Sequence, residues 1–289
     1  MKTIGLVANL DRDIDSVYLK EVADWILSRG LLPIIREGDA KSLGSEYRTA
    51  AEDELYKLSD MIVTLGGDGT IIGASKKAAM YNTAIMGINL GTLGYLTDAA
   101  CGVDGIEALG KVLDGEFKID KRMMLEASVL DERGNVIDDG LLALNEVCIL
   151  RGMFPRAKSY SLHINGDYLD VYKGDGIIIA TPTGSTAYNL SAGGSILSPD
   201  MECIAITPIS PHKMNSRPLV VSADDILNID IDGDYEHEDR SEVMLSLDCQ
   251  VNIDIEKGQS VRVERSKKYL RLIKTNDLGF YDILRKKMH

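Results

Sequence analysis

The sequence predicts an N-terminal open α/β domain followed by a C-terminal β-sandwich-like domain. In the first hundred residues, apolar strand segments alternate with segments of helical periodicity, which is typical of an open parallel sheet. From about Asp120 the segments become short, β-rich and separated by turns. We therefore place an α/β domain at 1–119, with the segment 266–289 packing back on it, and a β-rich domain at 120–265.

The elements of the α/β domain follow from its apolar pattern. Helical spacing of apolar residues predicts the helices, and Gly30 is the expected C-cap of the first. The predicted strands are 3–8, 31–36, 61–65 and 83–88, and the predicted helices are 16–28, 50–58 and 71–80.

A hairpin is the clearest signal in the β-rich domain. Residues 159–164 and 167–172 flank Asn165-Gly166, a pair that suits a type I′ turn. Further strands are predicted at 177–180, 203–207, 226–231, 243–247, 251–255 and 260–263, and a closing helix at 280–284.

Composition excludes several classes of protein. The 289 residues carry a formal charge of −13, which argues against a general nucleic-acid or acidic-membrane binder. The four cysteines form no CxxC pair, so neither a zinc site nor a disulfide framework is indicated. The acidic run 230–242 is interpreted as a solvated loop rather than a metal site. Without a signal peptide or a long apolar run, we expect a cytoplasmic protein with no membrane segment.

The most informative motif is Gly66-Gly67-Asp68-Gly69-Thr70, between the third strand and a helix. A glycine-rich turn at this place lets backbone N–H groups approach phosphate oxygens. A bare carboxylate beside a polyanion is repulsive, so Asp68 must meet a metal ion or a hydroxyl. The motif therefore indicates phosphoryl transfer, with Gly66, Gly67 and Thr70 as the phosphate loop.

Two other glycine patterns are weaker. Residues 105–112 nearly match a P-loop, but Val112 replaces the required Ser or Thr and the segment has helical periodicity. Gly67-x-Gly69-x-x-x-Gly73 resembles a Rossmann fingerprint. The next strand, however, ends in Asn89 rather than in the acid that would hold a ribose.

Two further segments carry polar groups where packing does not require them. The strand 177–180 runs into the loop 181–194, whose hydroxyls and N–H groups suit phosphate and ribose, while Tyr188 can lie against a base. The alternative is an ornate surface turn. Asn145-Glu146 interrupts an apolar strand, and from the residues alone a partner within the protein and a ligand are equally open.

Together these motifs resemble the NAD kinase family. The resemblance covers roughly residues 60–250 in the right order, through Gly66–Thr70, Asn89–Thr97, Asn145-Glu146, Asp175-Gly176, Thr181–Gly194, Thr207–His212, Ser216–Leu219 and Asp248–Gln250. It implies an active site between the two domains, often completed by a neighbouring subunit of a homo-oligomer, dimer or tetramer. It also implies Mg²⁺-dependent (or other divalent-cation-dependent) transfer of a phosphoryl group to the 2′-hydroxyl of the adenosine ribose of NAD. The donor would be ATP, with other nucleoside triphosphates or polyphosphate left open.

The resemblance also implies roles for individual residues. Asp68 would accept the proton and Gly69 would back the dinucleotide, while the metal ligands stay unknown. Asn145 and Glu146 would hold ribose and adenine groups. The remaining implied substrate-binding residues are Asp175, Thr186, Ala187, Tyr188, Asn189 and Ser191 at the adenosine end, and Arg156, Lys173 and Gln250 near family contact positions.

This chain departs from the family pattern at two places. Members often carry Arg and Phe where this chain has Thr92 and Tyr95, so the resemblance transfers no donor contact to position 92. The first strand also ends in Asn9-Leu10-Asp11 without the frequent Pro-Asn. Two alternative functions fit the same loop: a diacylglycerol-type lipid kinase, and an NADP(H)-binding sensor or dehydrogenase.

Overall fold

The computed structural model describes residues 1–11, 13, 16–40, 43, 47–92, 94–152, 157–232 and 243–288. The chain divides into two compact units. The first comprises Met1–Arg122 and Lys268–His289, and the second comprises Met123–Lys267.

The first unit is built on a parallel sheet. Its strands, numbered in chain order, are β1 Thr3–Ala8, β2 Leu32–Arg36, β3 Arg48–Ala50, β4 Met61–Gly66, β5 Ala84–Asn89 and β6 Ala99–Ala100. Its helices are α1 Val17–Ser28, α2 Glu52–Leu58, α3 Asp68–Tyr81, α4 Val103–Leu113 and α6 Phe280–Lys287. The sheet order is β3-β2-β1-β4-β5 with parallel neighbours, which confirms the predicted open α/β class.

The strand order places a crevice at one edge of this sheet. The order reverses between β1 and β4, and open α/β sheets bind ligands beyond the carboxyl ends of the strands at such a point. Asn9 follows β1, and Gly67 follows β4. The strands β4 and β5 are buried along their whole length, because helices cover both faces of a parallel sheet.

Most element boundaries of the first unit lie within two residues of the sequence prediction. The exceptions are α3, which begins at Asp68 instead of 71, α6, which ends at Lys287 instead of 284, and the strands β3 and β6, which were not predicted. The predicted helix 50–58 begins only at Glu52, because residues 48–50 pair in parallel with β2 as β3. Three acidic residues occupy the first turn of α2, where they complement the helix dipole. Helix α4 lies over the near-match to a P-loop, which confirms that this segment is not a phosphate loop.

The second unit consists of antiparallel strands in two layers. In chain order its strands are β7 Lys118–Leu130, β8 Val136–Ala143, β9 Glu146–Arg151, β10 Lys158–Ile164, β11 Asp167–Gly174, β12 Gly176–Ala180, β13 Cys203–Ile209, β14 Leu219–Ser222, β15 Leu227–Asp232, β16 Val243–Leu247, β17 Val251–Ile255 and β18 Ser260–Lys274, with β7 and β18 continuing into the first unit. A short helix α5, Tyr188–Ser191, follows a 3-10 turn at Gly184–Thr186. One layer has the order β14-β13-β12-β9-β16-β17, and β11, β10, β15 and β18 are neighbours in the other.

The core of the second unit joins the inner faces of these layers. Ile177 and Ile204 of one layer belong to the same buried cluster as Tyr160, Leu162 and Ile229 of the other. Such interdigitation of two sheets defines a β-sandwich and confirms the predicted class.

The predicted hairpin is present. Strands β10 and β11 pair from Lys158↔Gly174 to Ile164↔Asp167. Asn165 and Gly166 have φ angles of 53° and 89°, as a type I′ turn requires.

Three further observations concern membrane-spanning helices, the cysteines and the acidic run. Within the described ranges, no helix combines the length and apolarity needed to cross a membrane. Cys101, Cys148, Cys203 and Cys249 are free thiols. Most of the acidic run, at 233–242, lies outside the described residues.

Candidate active site

Asp68 lies at the junction between β4 and α3. The predicted five-residue loop is shorter in the structure, because Gly66 is the last residue of β4 and Asp68 is the first of α3. Only Gly67 links them, in an extended conformation. The first N–H groups of a helix have no partner within it and carry partial positive charge, so this junction suits an anion.

The carboxylate of Asp68 is held by backbone donors from residues far along the chain. The N–H of Tyr95 donates to Oδ2 at 2.8 Å, and the N–H of Leu96 donates to Oδ1 at 3.0 Å. A Cβ placed on Gly94 would overlap the same carboxylate, so only glycine allows this close approach. Each oxygen keeps acceptor capacity for a further donor. Asp68 is therefore fixed in direction and still able to accept from a substrate hydroxyl.

Hydrogen bonds from side chains hold the backbone of the segment 94–98 in place. Lys274 Nζ donates to the carbonyl oxygens of Leu96 and Thr97, both at 2.9 Å. The Thr97 hydroxyl accepts from the N–H of Gly94 at 3.0 Å. Burial lowers the pKa of Lys274, with Asp98 and Asp68 among the anions that oppose the shift. Lys274 thus fixes the backbone that fixes Asp68.

A polar pocket of about 290 Å³ opens at this junction. Such a volume lies at the lower end of small-molecule sites, which suits a phosphate chain better than a whole dinucleotide. The described residues that line it are Asn9, Gly67, Asp68, Gly69, Thr70, Asn89, Thr92, Gly94 and Lys287. The pocket therefore lies at the strand-order reversal and brings together the predicted Gly67, Asp68, Gly69 and Thr70.

Thr70 presents a hydroxyl without a protein partner. Its Oγ1 is buried and makes no hydrogen bond with any of the described residues. A Cβ on Gly66 would overlap this hydroxyl, which explains the first glycine of the motif. Because this oxygen has almost no exposed surface in the structure, a contact of Thr70 with a ligand stays a prediction. Gly66 acts on the site by making room rather than by lining it.

In the second unit, Glu146 is a buried carboxyl with one unused oxygen. Only 3% of its surface is exposed, and Oε2 has no hydrogen-bond partner among the described residues. Burial, with the nearby Asp248 carboxyl as a second cause, raises the pKa of Glu146 to about 7, and the backbone N–H of Tyr188 opposes that shift. No described residue pairs with Oε2, and a ligand contact for Glu146 stays a prediction.

Asp248 shapes the backbone around Asn145 and Glu146. Its carboxylate accepts the N–H groups of Leu144, Asn145 and Glu146 at 2.7, 2.7 and 3.0 Å. Burial raises the pKa of Asp248, and these hydrogen bonds oppose the shift. The sequence places Asp248 in a motif of the family but indicates no role for this residue. Its role depends on a left-handed φ of 53° and on partners far along the chain, and neither is visible in the sequence around Asp248.

The loop 181–194 uses many of its polar groups within the protein. Thr181 Oγ1 donates to Leu144 O at 2.6 Å. The Asn189 side chain is fully buried, donates to the carbonyls of Ser185 and Ser195, and accepts from Thr207 Oγ1 at 2.7 Å. The Asn189 amide therefore braces the loop, and a contact of this side chain with substrate stays a prediction.

The other predicted residues of this unit are distributed around the same segments. Thr186 and Ala187 are half-buried, whereas Tyr188 and Ser191 are exposed. Asp175 accepts from Arg151 Nε at 2.6 Å. Lys173 is exposed on β11 and Gln250 is exposed in the turn after β16. Arg156 lies outside the described residues.

The fold and the glycine-flanked carboxylate define the class of the protein: a two-unit phosphotransferase with a parallel α/β part and a β-sandwich part. Comparison with known proteins specifies the family. The sequence model described as the ATP-NAD kinase N-terminal domain matches residues 4–117, and the one for the C-terminal domain matches residues 144–275.

Individual relatives agree with these matches. The chain is 40% identical over 291 residues to an NAD kinase of Caldanaerobacter subterraneus, covering 100% of this chain and 99% of the relative. It is 38% identical over 288 residues to an NAD kinase of a Thermoanaerobacter species, with 100% and 99% coverage. The chain belongs to the NAD kinase family.

Solved structures show the same fold. Yeast NADH kinase, complexed with NADH, superposes with a TM-score of 0.86 at 25% identity and covers 99% of this chain and 86% of its own. An NAD kinase from Archaeoglobus fulgidus, in complex with ATP, gives 0.77 at 23% identity with 99% and 98% coverage. The comparisons support neither the lipid-kinase nor the sensor or dehydrogenase alternative.

Proposed function

We propose that this protein transfers the γ-phosphoryl group of ATP to the 2′-hydroxyl of the adenosine ribose of NAD, which yields NADP. Membership of the NAD kinase family supports this reaction, and the relatives at 40% and 38% identity carry the name NAD kinase. The observation that carries the proposal is the Asp68 carboxylate, fixed by two N–H donors in a pocket at a helix N-terminus.

Asp68 has the geometry of a proton acceptor. A ribose hydroxyl is a poor nucleophile, and phosphoryl transfer passes through a loose transition state that needs positioning more than covalent chemistry. Because Tyr95 and Leu96 fix both carboxylate oxygens, Asp68 can orient the hydroxyl and take its proton as the transfer proceeds. General-base assistance of this kind contributes about 10²- to 10⁴-fold to the rate.

The helix terminus and the Thr70 hydroxyl suit the donor phosphates. The N–H groups at the start of α3 face outward from the helix end, where the macrodipole favours negative charge. A rotation of the Thr70 side chain towards the pocket would let its unpartnered Oγ1 donate to a phosphate oxygen. Binding by these groups would place the phosphoryl group beside Asp68 and would exclude water from the pocket.

The residues of the pocket fit a magnesium ion held largely by the donor. Among the described residues, no group of three His, Cys, Asp or Glu side chains forms a ready-made metal site. Mg²⁺ commonly uses one or two carboxylates together with substrate phosphates and water. In this pocket Asn9 would offer a neutral oxygen, and the remaining ligands would come from the donor phosphates and water. When bound, the ion neutralises negative charge on the phosphates.

The dinucleotide would contact the second unit. Glu146 supplies a buried carboxyl oxygen that lacks a protein partner, and Asp248 holds the backbone that presents it. When ionised, this carboxyl would accept from a ribose hydroxyl or an adenine amine. Asn145 and Asp175 are proposed to hold the same end of the dinucleotide. Assembly into a homo-oligomer is proposed from the family resemblance, and the expected location in the cytoplasm stays a proposal.

An assay of NADP formation tests the proposed reaction. The purified protein is incubated with NAD, Mg²⁺ and either ATP or polyphosphate, and NADP is detected with an NADP-specific dehydrogenase. We expect NADP with ATP, its loss on addition of a chelator, and its return with excess Mg²⁺. A parallel incubation with diacylglycerol should give no phosphorylated lipid. Lipid phosphorylation without NADP would contradict the proposal.

A further inference from the structure

In the pocket beside Asp68, few side chains can offset the negative charge of a bound phosphate chain. A donor phosphate chain brings several negative charges towards Asp68, and repulsion between like charges is strong where water is excluded. Apart from Asp68 and Lys287, the described lining is neutral: asparagine, threonine and glycine. Lys287 is therefore the cation that this lining offers to a phosphate chain.

Helix α6 delivers Lys287 to the pocket. The helix begins after Gly279, whose N–H is accepted by Asp282, and its buried Ile283 packs into the unit. Lys287 lies in the last turn of the helix. Its Nζ lies 4.9 Å from the centroid of the Tyr95 ring. Cations are attracted to the face of an aromatic ring at such distances, so the ring limits where the ammonium group can move.

Tyr95 thereby joins two parts of the site. Its backbone N–H holds Asp68, and its ring lies under Lys287. One residue therefore contacts both the carboxylate and the ammonium group that border the pocket. Thr92 also lines this pocket, and its side chain is neutral at a position where members of the NAD kinase family often carry Arg.

We propose that Lys287 binds the phosphate chain of the phosphoryl donor, and that helix α6 holds Lys287 against these phosphates. The inference rests on the proposed function, because it takes a phosphate chain as the ligand of this pocket. Basic residues also stabilise the C-terminal end of any helix through its dipole, and α6 carries Arg285, Lys286 and Lys287 there. Arg285 pairs with Asp282, and Lys286 is not among the residues that line the pocket.

Lys286 provides the matched control for this proposal. Lys286→Ala and Lys287→Ala each remove one exposed charge from the last turn of α6, and only Lys287 faces the pocket. We expect Lys287→Ala to raise KM for ATP about 10- to 100-fold, the range of a lost charge-assisted contact. KM for NAD should stay within about twofold. Lys286→Ala should leave both constants unchanged, and Lys287→Arg should recover most of the affinity for ATP.

A binding measurement separates this inference from the proposed reaction. Calorimetric titration with ATP and Mg²⁺ should show the same loss in Lys287→Ala without any turnover. Inorganic tripolyphosphate should compete with ATP in the wild type and should compete less in this variant, since the contact is to phosphate and not to the base. Equal ATP affinity in the two alanine variants would overturn the inference. A wild type that binds ATP through Lys287 and forms no NADP would refute the proposed reaction alone.

Discussion

Replacement of Glu146 by glutamine should remove a pH-dependent loss of stability. Burial and the neighbouring Asp248 raise the pKa of Glu146 from 4.5 to about 7. Between these values the folded chain keeps a proton that the unfolded chain releases. The stabilising proton is fully present below pH 4.5, and the free energy of unfolding falls as the pH rises towards about 7.

The size of this effect follows from the pKa difference. One pKa unit corresponds to about 1.4 kcal/mol, so Glu146 ionisation lowers the stability of the wild type by roughly 3 kcal/mol across the window. Only 3% of the residue is exposed, so solvent screening reduces this figure little. Glutamine has a similar shape and does not ionise. Between pH 5 and pH 8 the variant should therefore gain roughly 2 to 3 kcal/mol relative to the wild type.

Urea denaturation at several pH values measures this gain. The difference in unfolding free energy between Glu146→Gln and the wild type should rise from pH 5 and level off above about pH 7. The control Glu256→Gln alters an exposed carboxyl of the same unit and should run parallel to the wild type. A constant difference between Glu146→Gln and the wild type would refute the account of Glu146 as a buried, protonated carboxyl.

Two further substitutions test how the Asp68 carboxylate is held. Gly94→Ala should lower kcat about 10- to 100-fold, because the added methyl group displaces Asp68. Gly110→Ala, whose methyl group would meet only the Trp25 ring at 4.0 Å, serves as the control in steady-state assays. Lys274→Met should leave the carbonyls of Leu96 and Thr97 without their donor. It should destabilise the fold by about 1–3 kcal/mol in urea denaturation and should also lower kcat. Wild-type kcat in Gly94→Ala or in Lys274→Met would contradict the role of these residues in positioning Asp68.

Local signals in the sequence were sufficient for much of the fold. The Asn165-Gly166 turn was predictable because its left-handed φ angles depend on those two residues alone. The β4–α3 junction was predictable because an apolar run, a glycine pair and a helical pattern follow one another. Strand β3 was missed, since three residues that pair with β2 have no pattern of their own.

The partners that complete the candidate site could not be predicted in the same way. The N–H donors of Asp68 lie 27 and 28 residues away, and the donors to Asp248 lie more than 100 residues away. Lys287 belongs to a basic helix end like many others, and only the folded chain places it beside Tyr95. Sequence identifies the residue types that chemistry needs, whereas tertiary pairing decides which of them meet.

Single-turnover kinetics of Asp68→Asn show whether this carboxylate accepts the proton of the 2′-hydroxyl, because they separate the transfer step from binding. The protein is premixed with NAD, then mixed rapidly with ATP and Mg²⁺, and NADP is quantified over time. We expect a transfer rate about 10²- to 10⁴-fold below the wild type, with NAD affinity and unfolding free energy close to those of the wild type. A transfer rate equal to that of the wild type would contradict the assignment of Asp68 as proton acceptor.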